Sequence, residues 1–158
     1  MKKGGARPVV VALVAAALAA TVAGCGGDRR AGAASPDAGA MVSTRLLIDA
    51  PAKTNGGAML YMMVRVVDDT FAVETYQDAA VRLFSAERDK QILDSRPIFP
   101  GEKVTVTVEA AAKSDIAVYF FFTAPQGTWR KILHTPLPET TNVELGEHHI
   151  EHLSSRPR

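Results

Sequence analysis

The chain has 158 residues, 47% of them hydrophobic and 22% charged, with 1 Cys and a formal net charge of +1. That length suits one domain. A single cysteine excludes a disulfide framework or a multi-cysteine metal motif, and the near-zero charge argues against nucleic acid as a partner.

The hydrophobic residues are unevenly placed. Lys2, Lys3 and Arg7 precede an uncharged run from Pro8 to Gly27, which is the basic n-region and apolar h-region of a signal peptide. Its firmly apolar part, Val9 to Ala23, is short for a permanent membrane span. The run ends in Val22-Ala23-Gly24-Cys25, the pattern of a bacterial lipobox. Cys25 is then the lipid-bearing residue: its thiol takes a diacylglyceryl group, the Gly24–Cys25 bond is cut, and the new amine is acylated. Three acyl chains contribute roughly 30 kcal/mol of membrane affinity, so such an anchor stays in place. Gly26, where an Asp would favour inner-membrane retention, points to the outer membrane. Without residues 1–24 the chain keeps 134 residues and a side-chain balance of −2.

From Gly26 to Ser43 the sequence is rich in Gly, Ala, Ser, Pro and Asp, so residues 25–43 read as the lipidated Cys and a flexible tether. The folded domain is expected over 44–153. Thr44–Asp49 is a short first strand, and Lys53-Thr54-Asn55-Gly56-Gly57 is a turn signal. Ala58–Val67 reads as a core strand, with Met59, Met62 and Met63 as core filling. Tyr76–Phe84 changes period and predicts a helix, with the Ile92-Leu93 pair in a second short one.

After the Pro100-Gly101 turn, Lys103–Glu109 alternates Val and Thr as a half-buried strand. Asp115–Thr123, with three consecutive Phe, predicts a strand buried on both faces. Trp129–His134 is another candidate, and Asn142–Leu153 holds one or two more. Residues 154–158 read as a frayed tail. The sum is a mainly β chain: an antiparallel β-sandwich with one or two short helices inserted between strands.

Chemistry is sparse. No nucleophile elbow, zinc-protease motif or phosphate-cradling loop is present, so no enzyme, small-molecule substrate or cofactor beyond the Cys25 lipid is expected. Asp68, Asp69 and Asp94 sit where caps and turns use carboxylates. The one metal-like cluster is His148, His149 and His152; a helix would put His148 and His152 on one face, whereas a strand sends His149 to the other side. The alternative function is therefore a lipid-anchored metal- or ligand-binding module using that tail.

The order of features resembles the TssJ lipoproteins of type VI secretion systems. The resemblance rests on the lipobox, a short first strand, a Gly-containing loop, Val64-Arg65-Val66, then Phe71, Tyr76 and Leu83. It continues through Ile98-Phe99-Pro100-Gly101-Glu102, Ala117-Val118-Tyr119 and Trp129-Arg130. It implies a transthyretin-like sandwich hung from the outer membrane, facing the periplasm, and binding the periplasmic domain of the TssM inner-membrane protein. By position, the family's contact loop corresponds to Pro51, Ala52, Lys53, Thr54, Asn55, Gly56 and Gly57, with Lys53, Thr54 and Asn55 as the contact side chains. The sequence departs from the family where Val66-Val67-Asp68 follows Arg65 without a Tyr.

Overall fold

The computed structural model describes residues 39–158. The signal peptide 1–24, the Gly24–Cys25 cleavage site and most of the tether lie outside the described residues. Eight strands and one helix follow in order: β1 Met41–Ala50, β2 Leu60–Val66, α1 Tyr76–Phe84, β3 Ile92–Ile98, β4 Glu102–Ala111, β5 Ile116–Phe121, β6 Arg130–Leu133, β7 Thr140–Leu145 and β8 Ile150–Arg156. They form two four-stranded sheets, a first in the order β4-β1-β7-β8 and a second in the order β3-β2-β5-β6.

The pleat explains the packing. Successive strand residues face opposite sides, so Ile116, Val118 and Phe120 of β5 join Leu46, Ile48, Val106, Val108 and Val143 in the core between the sheets. Ala117, Tyr119 and Phe121 face outward instead, where they form a second cluster with Met63 and Ala79. The Phe120-Phe121-Phe122 run is thus buried on both sides of its sheet. Met62 and Met63 separate in the same way, one into each cluster. Met59, expected in the core, is 41% exposed because the chain enters β2 only at Leu60.

Helix α1 covers the outer face of the second sheet. Thr75 caps it: Asp78 N–H donates to Thr75 Oγ1 (3.2 Å) and Thr75 N–H to Asp78 Oδ2 (3.0 Å), satisfying donors that a helix start leaves unpaired. Tyr76, Ala80 and Leu83 pack beneath it against the cluster of Met63, Tyr119 and Phe121.

Several expectations are corrected. The Ile92-Leu93 pair belongs to β3, not to a second helix. Antiparallel pairing with β2 from Leu60↔Ile98 to Arg65↔Ile92 overrides the local pattern, and Pro97 is tolerated because β3 is an edge strand. The first sheet is mixed: β1 pairs with β7 in parallel, Arg45↔Thr140 through Asp49↔Glu144. The tether ends earlier than residue 43, since Met41, Val42 and Ser43 pair with Ala111, Ala110 and Glu109 of β4. The tail is ordered through Arg156, because β8 pairs Ser154, Ser155 and Arg156 with Asn142, Thr141 and Thr140. In both cases backbone pairing with a well-formed neighbour extends a strand that the side chains alone do not announce.

Asp115 fastens two connections at the end where β1 begins. It accepts the Thr135 backbone N–H at 2.8 Å and faces His134 Nδ1 at 2.7 Å. Partial burial opposes its ionisation, but the Thr135 and His134 hydrogen bonds outweigh it and hold the carboxyl below its usual range. Asp89 is lowered similarly by the Gln91 N–H and Arg82. A depressed folded pKa contributes stability that is complete above the unfolded value and lost as pH falls through the folded one. The unfolding midpoint is therefore expected to hold between pH 7 and 5 and to drop below about pH 4. In acid-titrated thermal melts, Asp115→Asn should flatten that drop; an unchanged acid limb would assign it to other carboxyls.

Candidate functional site

Four connections gather at the end of the sandwich opposite the start of β1: β1–β2 (51–59), β3–β4 (99–101), β5–β6 (122–129) and β7–β8 (146–149). They are cross-tied. Gly101 N–H donates to Ala50 O (2.6 Å), Gln126 N–H to His148 O (2.9 Å) and Ile150 N–H to Thr128 O (2.7 Å). Strand β1 spans 10 residues, so this pole stands about 30 Å from the point where the chain enters the domain.

The β1–β2 loop is the most elaborated of the four. It makes a short 3-10 turn over Thr54–Gly57 with left-handed backbone at Asn55 (φ 51°), Gly56 (φ 61°) and Gly57 (φ 80°). Asn tolerates that region better than other side chains, and Gly enters it freely. Thr54 and Asn55 are buried and act as braces. Thr54 Oγ1 donates to Leu145 O (3.2 Å). Asn55 Nδ2 donates to Ala58 O (3.1 Å) and Met59 O (3.0 Å), while its Oδ1 accepts the Thr123 N–H (2.7 Å).

This corrects the contact assignment. Of Lys53, Thr54 and Asn55, only Lys53 faces outward; the other two shape the loop from inside, because their short polar side chains satisfy backbone groups the turn leaves unpaired. Pro51, Ala52, Gly56 and Gly57 are exposed. Two residues the sequence reading missed join them: Met59, and Phe99 at 48% exposure on the neighbouring turn. The Leu60↔Ile98 register places Met59 and Phe99 one step beyond a paired position on adjacent strands.

The histidines do not assemble. His148 and His149 lie in the β7–β8 turn and His152 on β8, and no group of three or more His, Cys, Asp or Glu poised for a metal occurs among the described residues. A Cβ added at Gly127 would lie 3.8 Å from the His149 Cβ.

A second polar assembly lies under the α1 excursion. Arg65, fully buried on β2, reaches Glu74 Oε1 (2.7 Å), Asp68 Oδ2 (2.5 Å) and Gln91 Oε1 (2.8 Å). Buried Glu74 also meets Arg82 Nε (3.2 Å) and Arg130 Nη1 (3.2 Å), and accepts the Tyr119 hydroxyl (2.7 Å). Burial first, and Glu74 second, raise the Tyr119 pKa, so the phenol stays protonated and donates. Arg130 lies over the Phe71 ring (4.2 Å to the centroid) and beside Trp129 (4.9 Å), a cation–π arrangement. Arg82 continues to Asp89 (2.8 Å). The arrangement fastens the 67–91 excursion to the sheet and is structural. Asp68 makes its expected turn with Thr70 and adds an ion pair that the sequence did not show.

Fold and site define a small two-sheet sandwich that presents a braced loop at the pole away from the start of its N-terminal strand. The chain belongs to the IglE N-terminal-domain family, a type VI secretion lipoprotein family, whose model matches residues 61–145, β2 through β7. Among curated proteins, no sequence matches the chain. Solved structures share the fold. The type VI secretion lipoprotein TssJ1 from Pseudomonas aeruginosa is 18% identical, with a TM-score of 0.54 over 73% of this chain and 97% of that one. Serratia marcescens Lip, a membrane-bound component of the type VI secretion system, is 18% identical with a TM-score of 0.55 over 72% and 97%. A chain of the structure described as the TssM C-terminal domain from EAEC is 20% identical with a TM-score of 0.50 over 70% and 99%. Family and fold together bear out the TssJ-like resemblance read from the residues.

Proposed function

We propose that the protein is an outer-membrane lipoprotein, acylated at Cys25, that docks the periplasmic domain of a TssM-type inner-membrane protein and has no catalytic role. The observation that carries this reading is the braced β1–β2 loop on a TssJ-like sandwich, at the pole opposite the start of the strand that follows the tether. A chain anchored through Cys25 keeps this loop in the periplasm, where Lys53, Met59 and Phe99 meet the partner. Preorganisation by Thr54 and Asn55 lowers the ordering cost of binding. Bridging two membranes asks for a rigid presented surface and a lipid anchor, and it asks for no reacting group.

Two measurements test the reading. Cys25→Ser is expected to abolish fatty-acid labelling and move the protein from the membrane to the soluble fraction; continued labelling overturns the anchor assignment. Lys53→Glu combined with Met59→Asp should leave stability within about 0.5 kcal/mol, as exposed substitutions do, and weaken binding to the TssM-type periplasmic domain at least about tenfold. Unchanged affinity moves the contact to another face.

A further inference from the structure

The outer face of the first sheet carries a groove of about 430 Å³, lined in part by Leu47, Asp49, Lys103, Thr105, Asn142 and Glu144. Strand register builds it. Leu47 lies between Thr105 of β4 and Asn142 of β7, and Asp49 lies between Lys103 and Glu144. The parallel pairing of β1 with β7 thus sets two carboxylates side by side. Lys103 Nζ compensates Asp49 at 2.6 Å, whereas Glu144 has no ion-pair partner among the described residues. Leu47, at 38% exposure, is an exposed large hydrophobic residue on this face and supplies an apolar floor. Asp49 is two residues from the start of the β1–β2 loop, so groove and loop adjoin. Around the pole, Glu102, Glu147 and Glu151 are exposed against Lys53 as the balancing cation on the loop.

We propose that this groove seats a lysine or arginine side chain of the partner protein that the β1–β2 loop docks, an assignment that rests on the docking reading above. An apolar floor with a carboxylate at its end fits the aliphatic stem and cationic head of such a side chain. The field in the groove already favours positive charge: the hydrogen bond and charge of Asp49, then the charge of Glu144, raise the Lys103 pKa. A basic partner face is the charge complement of this pole and gains in association rate and register from it.

Calorimetric titration of the full-length lipoprotein in detergent with the purified TssM-type periplasmic domain, at 50 and 300 mM NaCl, tests the assignment. Glu144→Gln should raise Kd about tenfold at low salt and less at high salt, as screening removes the attraction. Glu144→Lys should raise it further, and neither should move the unfolding midpoint. A photo-cross-linking residue at Asn142 should capture a partner peptide containing Lys or Arg. If both Glu144 variants bind like the native protein while Lys53→Glu/Met59→Asp binds weakly, the groove assignment falls and the loop reading stands. If the native protein fails to bind the domain, both fall. Capture at Asn142 of a peptide without a basic residue also overturns the groove assignment.

Discussion

Glu74→Ala is expected to be the most damaging single substitution in the domain, lowering stability by about 3–5 kcal/mol. The reason lies in what it strands. Arg65 has no solvent exposure, and its Nε has no hydrogen-bond partner among the described residues. Without Glu74 it keeps Asp68 and Gln91 but loses the buried carboxylate that faces it at 2.7 Å. Tyr119 and Arg130 lose their shared acceptor at the same moment. Removing one partner of a buried pair leaves an uncompensated charge, which costs far more than the intact pair contributes. For a domain of this size the loss amounts to a fall of roughly 10–20 °C in Tm. Glu74→Gln keeps a hydrogen-bonding group but leaves three arginines facing two carboxylates, so it should fall between the native protein and Glu74→Ala. Arg65→Met/Glu74→Met should recover much of the loss, and the double-mutant cycle reads the coupling directly. A loss under about 1 kcal/mol for Glu74→Ala would mean that water reaches the site and the charges are solvated.

That assembly also marks where the sequence stops being legible. Local signals carry a strand's pattern: Val104, Val106 and Val108 alternate with Thr105 and Thr107, and the structure places them in β4. The Phe120–Phe122 run and the adjacent Met62 and Met63 divide between two cores as pleat geometry requires. Arg65 in an apolar strand is visible as an anomaly, but its partners come from the excursion at Glu74 and Gln91, and Glu74 in turn meets Arg130 of β6. Nothing local links those positions. β3 was illegible for a similar reason, since Leu93, Asp94 and Ser95 form a strand only because β2 lies beside them. At the loop, composition announced a turn without showing its orientation. Gly56 and Gly57 were readable as turn residues, yet which neighbours point inward depends on acceptors at Leu145, Ala58 and Met59 and a donor at Thr123.

Asn55→Ala is expected to cost about 2–4 kcal/mol and to weaken partner binding without removing a contact residue. Three hydrogen bonds disappear together. Each typical bond contributes about 0.5–1.5 kcal/mol net, and exposure around Thr123 lets water replace part of the loss. The backbone adds a further term, because Asn55 sits at φ 51°, where an alanine Cβ costs about 1–2 kcal/mol. Asn55→Gly removes the same three bonds but relieves the backbone, so it should be less destabilising than Asn55→Ala by about 1 kcal/mol; equal losses would show that the side-chain bonds carry the whole effect. Asn55→Asp keeps an acceptor for Thr123 but turns a carboxylate toward the carbonyls of Ala58 and Met59, and should resemble Asn55→Ala. Hydrogen exchange separates shape from contact. In Asn55→Ala the amides of residues 52–59 should exchange faster as affinity falls, whereas in Lys53→Glu/Met59→Asp affinity should fall while exchange stays native. If Asn55→Ala loosens the loop yet binds the partner normally, preorganisation is unnecessary and the partner must order the loop itself.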